Sequence, residues 1–277
     1  MNRRKFIGNS AIAAAGASFF GVHDMLAGCA TGKNIPFNDQ ARILHLDLMT
    51  GTALTELKTF YTSLLELPLI SEQAGSFMIR AGETTINFIH TNEKGAVPFY
   101  HFAFNIPENK ILKAREWQLK RTQLSATPSS MVDNGYPADI RHFRNWNAHS
   151  VFFWDPAGNL VEYIARHDLQ NSSEGEFSSK DLVCASEIAF IVEDIAEPAE
   201  EIRSMFGLDQ YRQGDQNFQA IGDENGLLLM IRKGRIWESH TDISRTPGTN
   251  RTAVTIRSAK TGKWFPGNYP FEVSTKT

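Results

Sequence analysis

Asp155-Pro156-Ala157-Gly158-Asn159-Leu160-Val161-Glu162 is the stretch on which the reading of the whole chain turns. Proline pre-sets the backbone for a tight turn and glycine reaches conformations other residues avoid, so 155–158 reads as a turn. It separates two strand patterns, Ala148–Trp154 before it and Asn159–Ala165 after it. Side chains alternate faces along a strand. Val161, Tyr163 and Ala165 therefore share one face, and Leu160, Glu162 and Ile164 the other. A carboxylate in the middle of an apolar strand is costly to bury without a partner. Glu162 thus asks what else the fold brings to it.

Working outward, this hairpin closes a repeated unit. Tyr100–Ile106 reads as a strand, Pro107-Glu108-Asn109 breaks it, and Lys110–Lys120 reads as a helix. A long variable stretch, Thr122–Arg144, precedes the hairpin. The same order occurs earlier. Arg42–Met49 is a strand, and Leu54–Leu65 a helix with Leu54, Leu57, Tyr61, Leu64 and Leu65 at helical spacing. Leu69–Glu72, Ser76–Ala81 and Thr84–His90 follow as strands, punctuated by Gly75 and Gly82. A third unit runs from strand Ser186–Glu193 through helix Pro198–Phe206, ended by Gly207, to strands Asn217–Ile221 and Leu227–Ile231. A fourth, partial unit includes Thr252–Arg257, and the Ser- and Glu-rich Asn171–Ser179 is the linker. Strand–helix–strand–strand–strand is an α+β unit, because its strands come in runs. The expected domains are an export signal at 1–30, a complete two-module domain at 41–167, a degenerate module region at 180–260 and a tail at 261–277.

Alternation isolates the chemistry. On the first strand Leu44, Leu46 and Leu48 form the apolar face and leave Ile43, His45 and Asp47 on the other. On the restart strand Tyr100, Phe102, Phe104 and Ile106 leave Phe99, His101, Ala103 and Asn105 opposite. Two imidazoles and one carboxylate thus stand singly in three strands, at equivalent places in a repeat. A lone strand histidine is more often a packed residue than a ligand; the three residues together point to a metal. Two histidines and one carboxylate with open positions suit iron(II), manganese or zinc.

These residues resemble a known family. Leu44-His45-Leu46-Asp47, Phe60-Tyr61, Tyr100-His101-Phe102-Ala103-Phe104 and the 155–162 run are similar to the βαβββ modules of the vicinal oxygen chelate superfamily. That superfamily includes glyoxalase I, extradiol dioxygenases and fosfomycin- and bleomycin-resistance proteins. The resemblance covers about Arg42–Arg166 and implies paired modules forming a curved, mostly antiparallel sheet around a metal cleft. It implies His45, His101 and Glu162 as ligands of one divalent metal. At the fourth equivalent position stands Asn87, which cannot be a general base at neutral pH and becomes a candidate substrate contact. Where extradiol dioxygenases carry a tyrosine, this chain has Trp154. His149 is the candidate proton-transfer group, and Arg144 and Asn147 are candidate substrate contacts in a lid. The third unit places Glu187 and Phe190 where its first strand would offer a ligand, and Leu228–Met230 on its fourth strand, without a metal set of its own. Its expected roles are covering the first domain, closing the cleft or forming a homodimer.

The remaining features set location and class. Arg3-Arg4-Lys5-Phe6-Ile7 followed by the weakly apolar Ala11–Phe20 resembles a twin-arginine export signal. Leu26-Ala27-Gly28-Cys29 resembles a lipobox with Cys29 as the lipidated residue; cleavage after Ala30 is the alternative. Either way an exported, cell-envelope protein is expected, touching a membrane only through a lipid on Cys29. Cys184 is then the single thiol, expected to be a small buried residue. A net charge of −3 gives no electrostatic footprint for nucleic acid. At 42% hydrophobic and 21% charged residues the chain can bury an ordinary core. The expected partner is a small, oxygen-rich substrate. The expected activity is that of a metal-dependent, glyoxalase-like lyase or isomerase. The alternatives are an extradiol dioxygenase and a non-catalytic small-molecule binding or resistance protein.

Overall fold

The computed structural model describes residues 41–235 and 247–277; the export signal expected at 1–30, with Arg3, Arg4 and Cys29, lies outside the described residues. The first unit comprises β1 (Arg42–Thr50), α1 (Leu54–Thr59, continued by a wider turn over Phe60–Leu64), β2 (Leu69–Gln73), β3 (Ser76–Ala81) and β4 (Thr84–His90). The second comprises β5 (His101–Ile106), α2 (Ile111–Leu119), β6 (Arg141–Phe143), β7 (Ala148–Trp154) and β8 (Leu160–Arg166). The third comprises β9 (Cys184–Val192), α3 (Ala196–Phe206), β10 (Gln210–Asp215), β11 (Phe218–Asp223) and β12 (Gly226–Arg232). A fourth, without a helix, has β13 (Thr252–Arg257), β14 (Lys263–Trp264) and β15 (Phe271–Lys276). Two of its strands fall in the segment the sequence suggested as a tail. In each unit the first strand runs parallel to the last, and the others follow antiparallel.

The modules pair, as the resemblance implies, but with different partners. A seven-stranded sheet has the order β14-β15-β13-β1-β4-β3-β2, and an eight-stranded sheet the order β10-β11-β12-β9-β5-β8-β7-β6. The first unit therefore joins the fourth through β1 and β13, and the second joins the third through β5 and β9. Residues 41–167 do not form one sheet; their halves lie in two. The physical reason lies in β9. All nine of its residues are buried, which suits a central strand and not an edge or a cover. It takes β5 on one side and β12 on the other.

One continuous apolar cluster includes residues of both sheets and of the three helices. From β1 it takes Ile43, Leu46 and Leu48. Leu44 is only half-buried, because the β1–β13 register shifts between Ile43 and His45 and the alternation slips at that bulge. Cys184 is buried and unpaired by any disulfide, and burial pushes its thiol up to about 12. The strands that sequence periodicity missed are edges or near-edges. Gln210–Asp215 is polar, mostly exposed, and interrupted by Arg212 at a positive φ of 55°.

The sheets are tied where the β3–β4 turn meets the start of β9. The Thr84 hydroxyl donates to Ile43 O (2.6 Å) and accepts from Ala185 N (2.8 Å), bridging both sheets. Glu83 N donates to Val183 O at 2.9 Å. Gly82 makes this approach geometrically allowed. Its φ is +55°, and a Cβ there would meet Val183 O at 2.0 Å and Leu182 O at 2.3 Å. Gly75, in the preceding turn, has nothing within 4 Å of a Cβ. Gly82→Ala is expected to destabilise the protein by about 2–4 kcal/mol in urea melts, and Gly75→Ala by less than about 0.5 kcal/mol. Equal effects would show that the junction is not tight.

Candidate metal centre

The register of three strands builds the site. β8 pairs parallel to β5 with Glu162 opposite Ala103, and β9 pairs antiparallel to β5 with Glu187 opposite the same Ala103. A methyl group thus stands between two glutamates. His101, two residues earlier on β5, lies on the same face. His101 Nε2 is 3.4 Å from Glu162 Oε2 and 3.7 Å from Glu187 Oε2. The three residues are all buried, and their ligand atoms lie within 4.8 Å of one another. His101 Nδ1 is 3.0 Å from Leu160 O, a bond in which only the ring nitrogen can donate. The Nδ1 proton is thereby assigned, and Nε2 is turned towards the carboxylates, the wiring typical of a metal-bound imidazole.

Arg166 completes the arrangement. It is fully buried, follows Glu162 by four residues on the same face of β8, and forms an ion pair with Glu187 Oε1. Its Nε donates to Asn105 Oδ1 (3.1 Å), and Asn105 Nδ2 donates to Glu224 O (2.7 Å). These contacts divide the two carboxylates. Burial raises Glu187, but the His101 hydrogen bond and Arg166 outweigh it and hold this carboxyl low. Burial, and then the Glu187 charge, push Glu162 up. Burial lowers His101, but its bond to Glu187 and both carboxylate charges outweigh that and raise it.

The donor set fits a divalent cation. Two carboxylates and one imidazole converge, and Glu162 Oε1 is buried, with the Ser150 hydroxyl as the neutral donor beside this carboxylate. By register the counterpart of Glu162 in the third unit is Leu229, which pairs with Ala189 on β12–β9, so the fourth position is apolar. The three residues line a cavity of about 470 Å³, within the size range of small-molecule sites. Its walls include Phe143, Trp146, Phe152, Phe218, Leu229 and Ile231, with Arg141 and Arg235 as the cations. Arg141 stacks over Phe152, 4.1 Å from the ring centre.

Of the residues singled out by sequence, His101 and Glu162 come together and His45 does not join them. β1 hydrogen-bonds to β4 and β13, not to β5, so His45 lies in the other sheet. There it contacts Thr85 Oγ1 (2.7 Å) and Asp47 Oδ1 (3.1 Å). Asn87 lies beside it, donating to Asp47 Oδ1 at 2.8 Å, and is no part of the cavity. His149 is also displaced. On β7 Phe152 faces the cavity, so His149, Val151 and Phe153 face the opposite side. Arg144 is exposed. Asn147, also exposed, adopts a left-handed φ of 46° and donates to Asp168 Oδ1 at 2.8 Å. Their neighbours Arg141, Phe143 and Trp146 are the cavity residues. Glu187 replaces His45 in the set. The signal for it was the one that marked Glu162: a lone carboxylate inside an apolar strand.

No protein-family model and no curated protein matches the sequence. Solved structures match the fold. A candidate dioxygenase from Bacillus subtilis subsp. subtilis str. 168 is 15% identical, with a TM-score of 0.52 over 86% of each chain. A single-residue mutant of glyoxalase I from Zea mays is 15% identical, with a TM-score of 0.51 over 86% of this chain and 92% of the other. The architecture, two curled mixed sheets built from paired modules, is the vicinal oxygen chelate fold.

The electrostatics give a sign for pH dependence. A carboxyl raised in the folded state holds its proton longer than the unfolded chain does, so stability falls as pH rises from the ordinary carboxylate range towards the raised value. A raised histidine acts in the same direction above it, losing stability as pH rises through its folded value. In urea melts of metal-free protein, Glu162, raised to about 7, is expected to contribute a decline in stability between about pH 4.5 and 7, beside those of Asp155 and Asp223, and Glu162→Gln to flatten the decline. An unchanged slope would remove Glu162 as its source.

Proposed function

We propose that this chain is a metal-dependent vicinal oxygen chelate enzyme of the glyoxalase-like lyase or isomerase type. Its substrate is a small molecule with two neighbouring oxygens and an apolar body, held in the cavity beside His101, Glu162 and Glu187. The observation that supports this most is the convergence of one imidazole and two carboxylates on the wall of an aromatic-lined cavity. A divalent ion bound by these three residues would polarise the vicinal oxygens and stabilise an enolate or oxyanion. An oxygen-rich set of this kind favours manganese or iron(II), with zinc third.

The chain's own residues supply the rest. Glu162 lies on the cavity wall beside the space for the substrate and would be the carboxylate that takes and returns the proton. Arg166 positions Glu187. Phe143, Trp146 and Phe152 pack against the substrate body and exclude water. His149, on the far face of the sheet, has no part in this chemistry. The dioxygenase reading ranks second because it asks for two histidines and one carboxylate, whereas one histidine and two carboxylates meet here. A binding or resistance role would use the same cavity without proton transfer. The Arg3-Arg4 signal and Cys29 support export to the cell envelope, with Cys29 as the anchor.

Glu162→Gln and Glu187→Gln are each expected to weaken manganese binding at least about tenfold, while His45→Gln leaves it unchanged; equal loss in His45→Gln would overturn the ligand assignment. Proton exchange next to a vicinal carbonyl, followed by NMR in D2O over a panel of small hydroxy-ketones, should fall at least about 100-fold in Glu162→Gln. Absence of exchange in the wild type with every member would favour the binding role. Replacing Arg3-Arg4 by two lysines should abolish export; unimpeded secretion would refute the twin-arginine assignment.

A further inference from the structure

His149 belongs to a second cluster, on the face of the eight-stranded sheet opposite the cavity. β6 and β7 pair antiparallel with His142 directly opposite His149. Their rings stack 4.3 Å apart at an interplanar angle of 9°. Tyr136 covers the other face of His149 at 4.0 Å. The connection between α2 and β6 returns over these rings and delivers Asp133. Asp133 Oδ2 lies 3.2 Å from His149 Nε2 and 3.3 Å from His142 Nδ1. The three ligand atoms lie within 4.8 Å of one another.

The hydrogen bonds behind the cluster decide which nitrogens can bind. An ionised carboxylate only accepts, so Glu108 Oε2, 3.3 Å from His167 Nδ1, receives its proton. In a neutral His167 the Nε2 is then an acceptor to which His149 Nδ1, 2.8 Å away, donates; two neutral rings carry two protons for three contacts, so the 3.2 Å contact of His149 Nε2 with Asp133 is the one left without a proton. In the neutral ring this leaves His149 Nε2 as a lone pair aimed at Asp133. His142 Nδ1 is also buried and makes no hydrogen bond, although it faces the same carboxylate oxygen. Two imidazole nitrogens and a carboxylate oxygen therefore lie within 4.8 Å of one another, with the ring behind one of them wired through His167 to Glu108; the two rings stand parallel, so one turns about its Cβ–Cγ bond to bring both lone pairs onto one ion. Atoms bound to a tetrahedral ion with bonds of about 2.0–2.1 Å lie about 3.3 Å apart. The two contacts to Asp133 match that spacing.

We propose that Asp133, His142 and His149 form a second metal site, for a divalent transition ion of the zinc type, whose work is structural. Asp133 comes from the long connection and both histidines from the sheet, so the ion pins the connection to β6 and β7. The same connection carries Pro128 and Met131, and His142 is flanked by Arg141 and Phe143; all four line the cavity on the other side. The second ion thus fixes one wall of the first site without touching its substrate.

The test uses the full chain with the first centre silenced by Glu162→Gln and Glu187→Gln, titrated metal-free with cobalt(II), with circular dichroism as the check on folding. One cobalt per chain is expected, with the strong visible absorption of four-coordinate cobalt. Adding His142→Gln or Asp133→Asn should abolish it. His142→Cys in their place should restore it, with a new thiolate-to-cobalt band in the near ultraviolet. In the wild-type background, which does not depend on the silenced protein folding, His142→Gln should lower bound metal from two ions to one. Zinc should slow proteolysis of the 126–139 segment in the silenced protein and not after His142→Gln. No cobalt bound by the folded, silenced protein, or binding undiminished by His142→Gln and Asp133→Asn, overturns the proposal. Since the first centre is already disabled, either result leaves the proposed function standing.

Discussion

A guanidinium with no exposure to water ends β8, and much of the site follows from it. Arg166 cannot shed its charge, so its burial requires a carboxylate within reach. Glu187 supplies that carboxylate from β9, two strands away across the junction of the second and third modules. Removing one partner of such a pair leaves an unpaired buried charge and costs about 3–5 kcal/mol. The interaction therefore holds β8 and β9 in one register about β5, and that register puts Glu162 and Glu187 on either side of Ala103. The same pairing separates the roles of the two glutamates. Glu187 is held low by its bond to His101 and by Arg166, and Glu162, raised by burial and then by the Glu187 charge, keeps its proton longer.

The period of two along a strand explains how one sheet serves two purposes. On β7, Phe152 lines the cavity, while His149 on the opposite face meets His142, Asp133 and Tyr136. On β6, Arg141 and Phe143 face the cavity and His142 faces away. A shift of either strand by one residue would exchange the faces. The two clusters differ in chemistry as well as position. One is rich in carboxylate and opens on an apolar cavity; the other is rich in imidazole and lies beneath a loop.

The pseudo-symmetry of the fold has been used unevenly. The eight-stranded sheet carries His101, Glu162 and Glu187, with Leu229 in the fourth place. The seven-stranded sheet holds His45, Asp47, Thr85 and Asn87 in mutual hydrogen bonds. Asp47 there accepts from Asn87 and contacts His45, so its carboxylate is already satisfied. The contrast with Glu162 and Glu187, two buried carboxylates whose charges repel, separates a cluster closed on itself from one that calls for a cation.

The sequence by itself determined the units. Helices at 54–65, 110–120 and 198–206 and most strands follow from periodicity and from the punctuation of Gly75, Gly82, Pro156 and Gly207, all of which act locally. It also identified Glu162 and His101, because a titratable residue inside an apolar strand is anomalous wherever that strand ends up. Glu187 carried the same signal. What only the tertiary structure decided was which modules share a sheet. Every first strand presents similar alternating surfaces, so β1 with β5 and β5 with β9 satisfy the local pattern equally well. The choice rests on long-range terms: the burial of all nine residues of β9, the Thr84 bridge, and the charge of Arg166. Once β9 lies beside β5, Glu187 enters the site, His45 is carried into the other sheet, and His149 is turned to the far face.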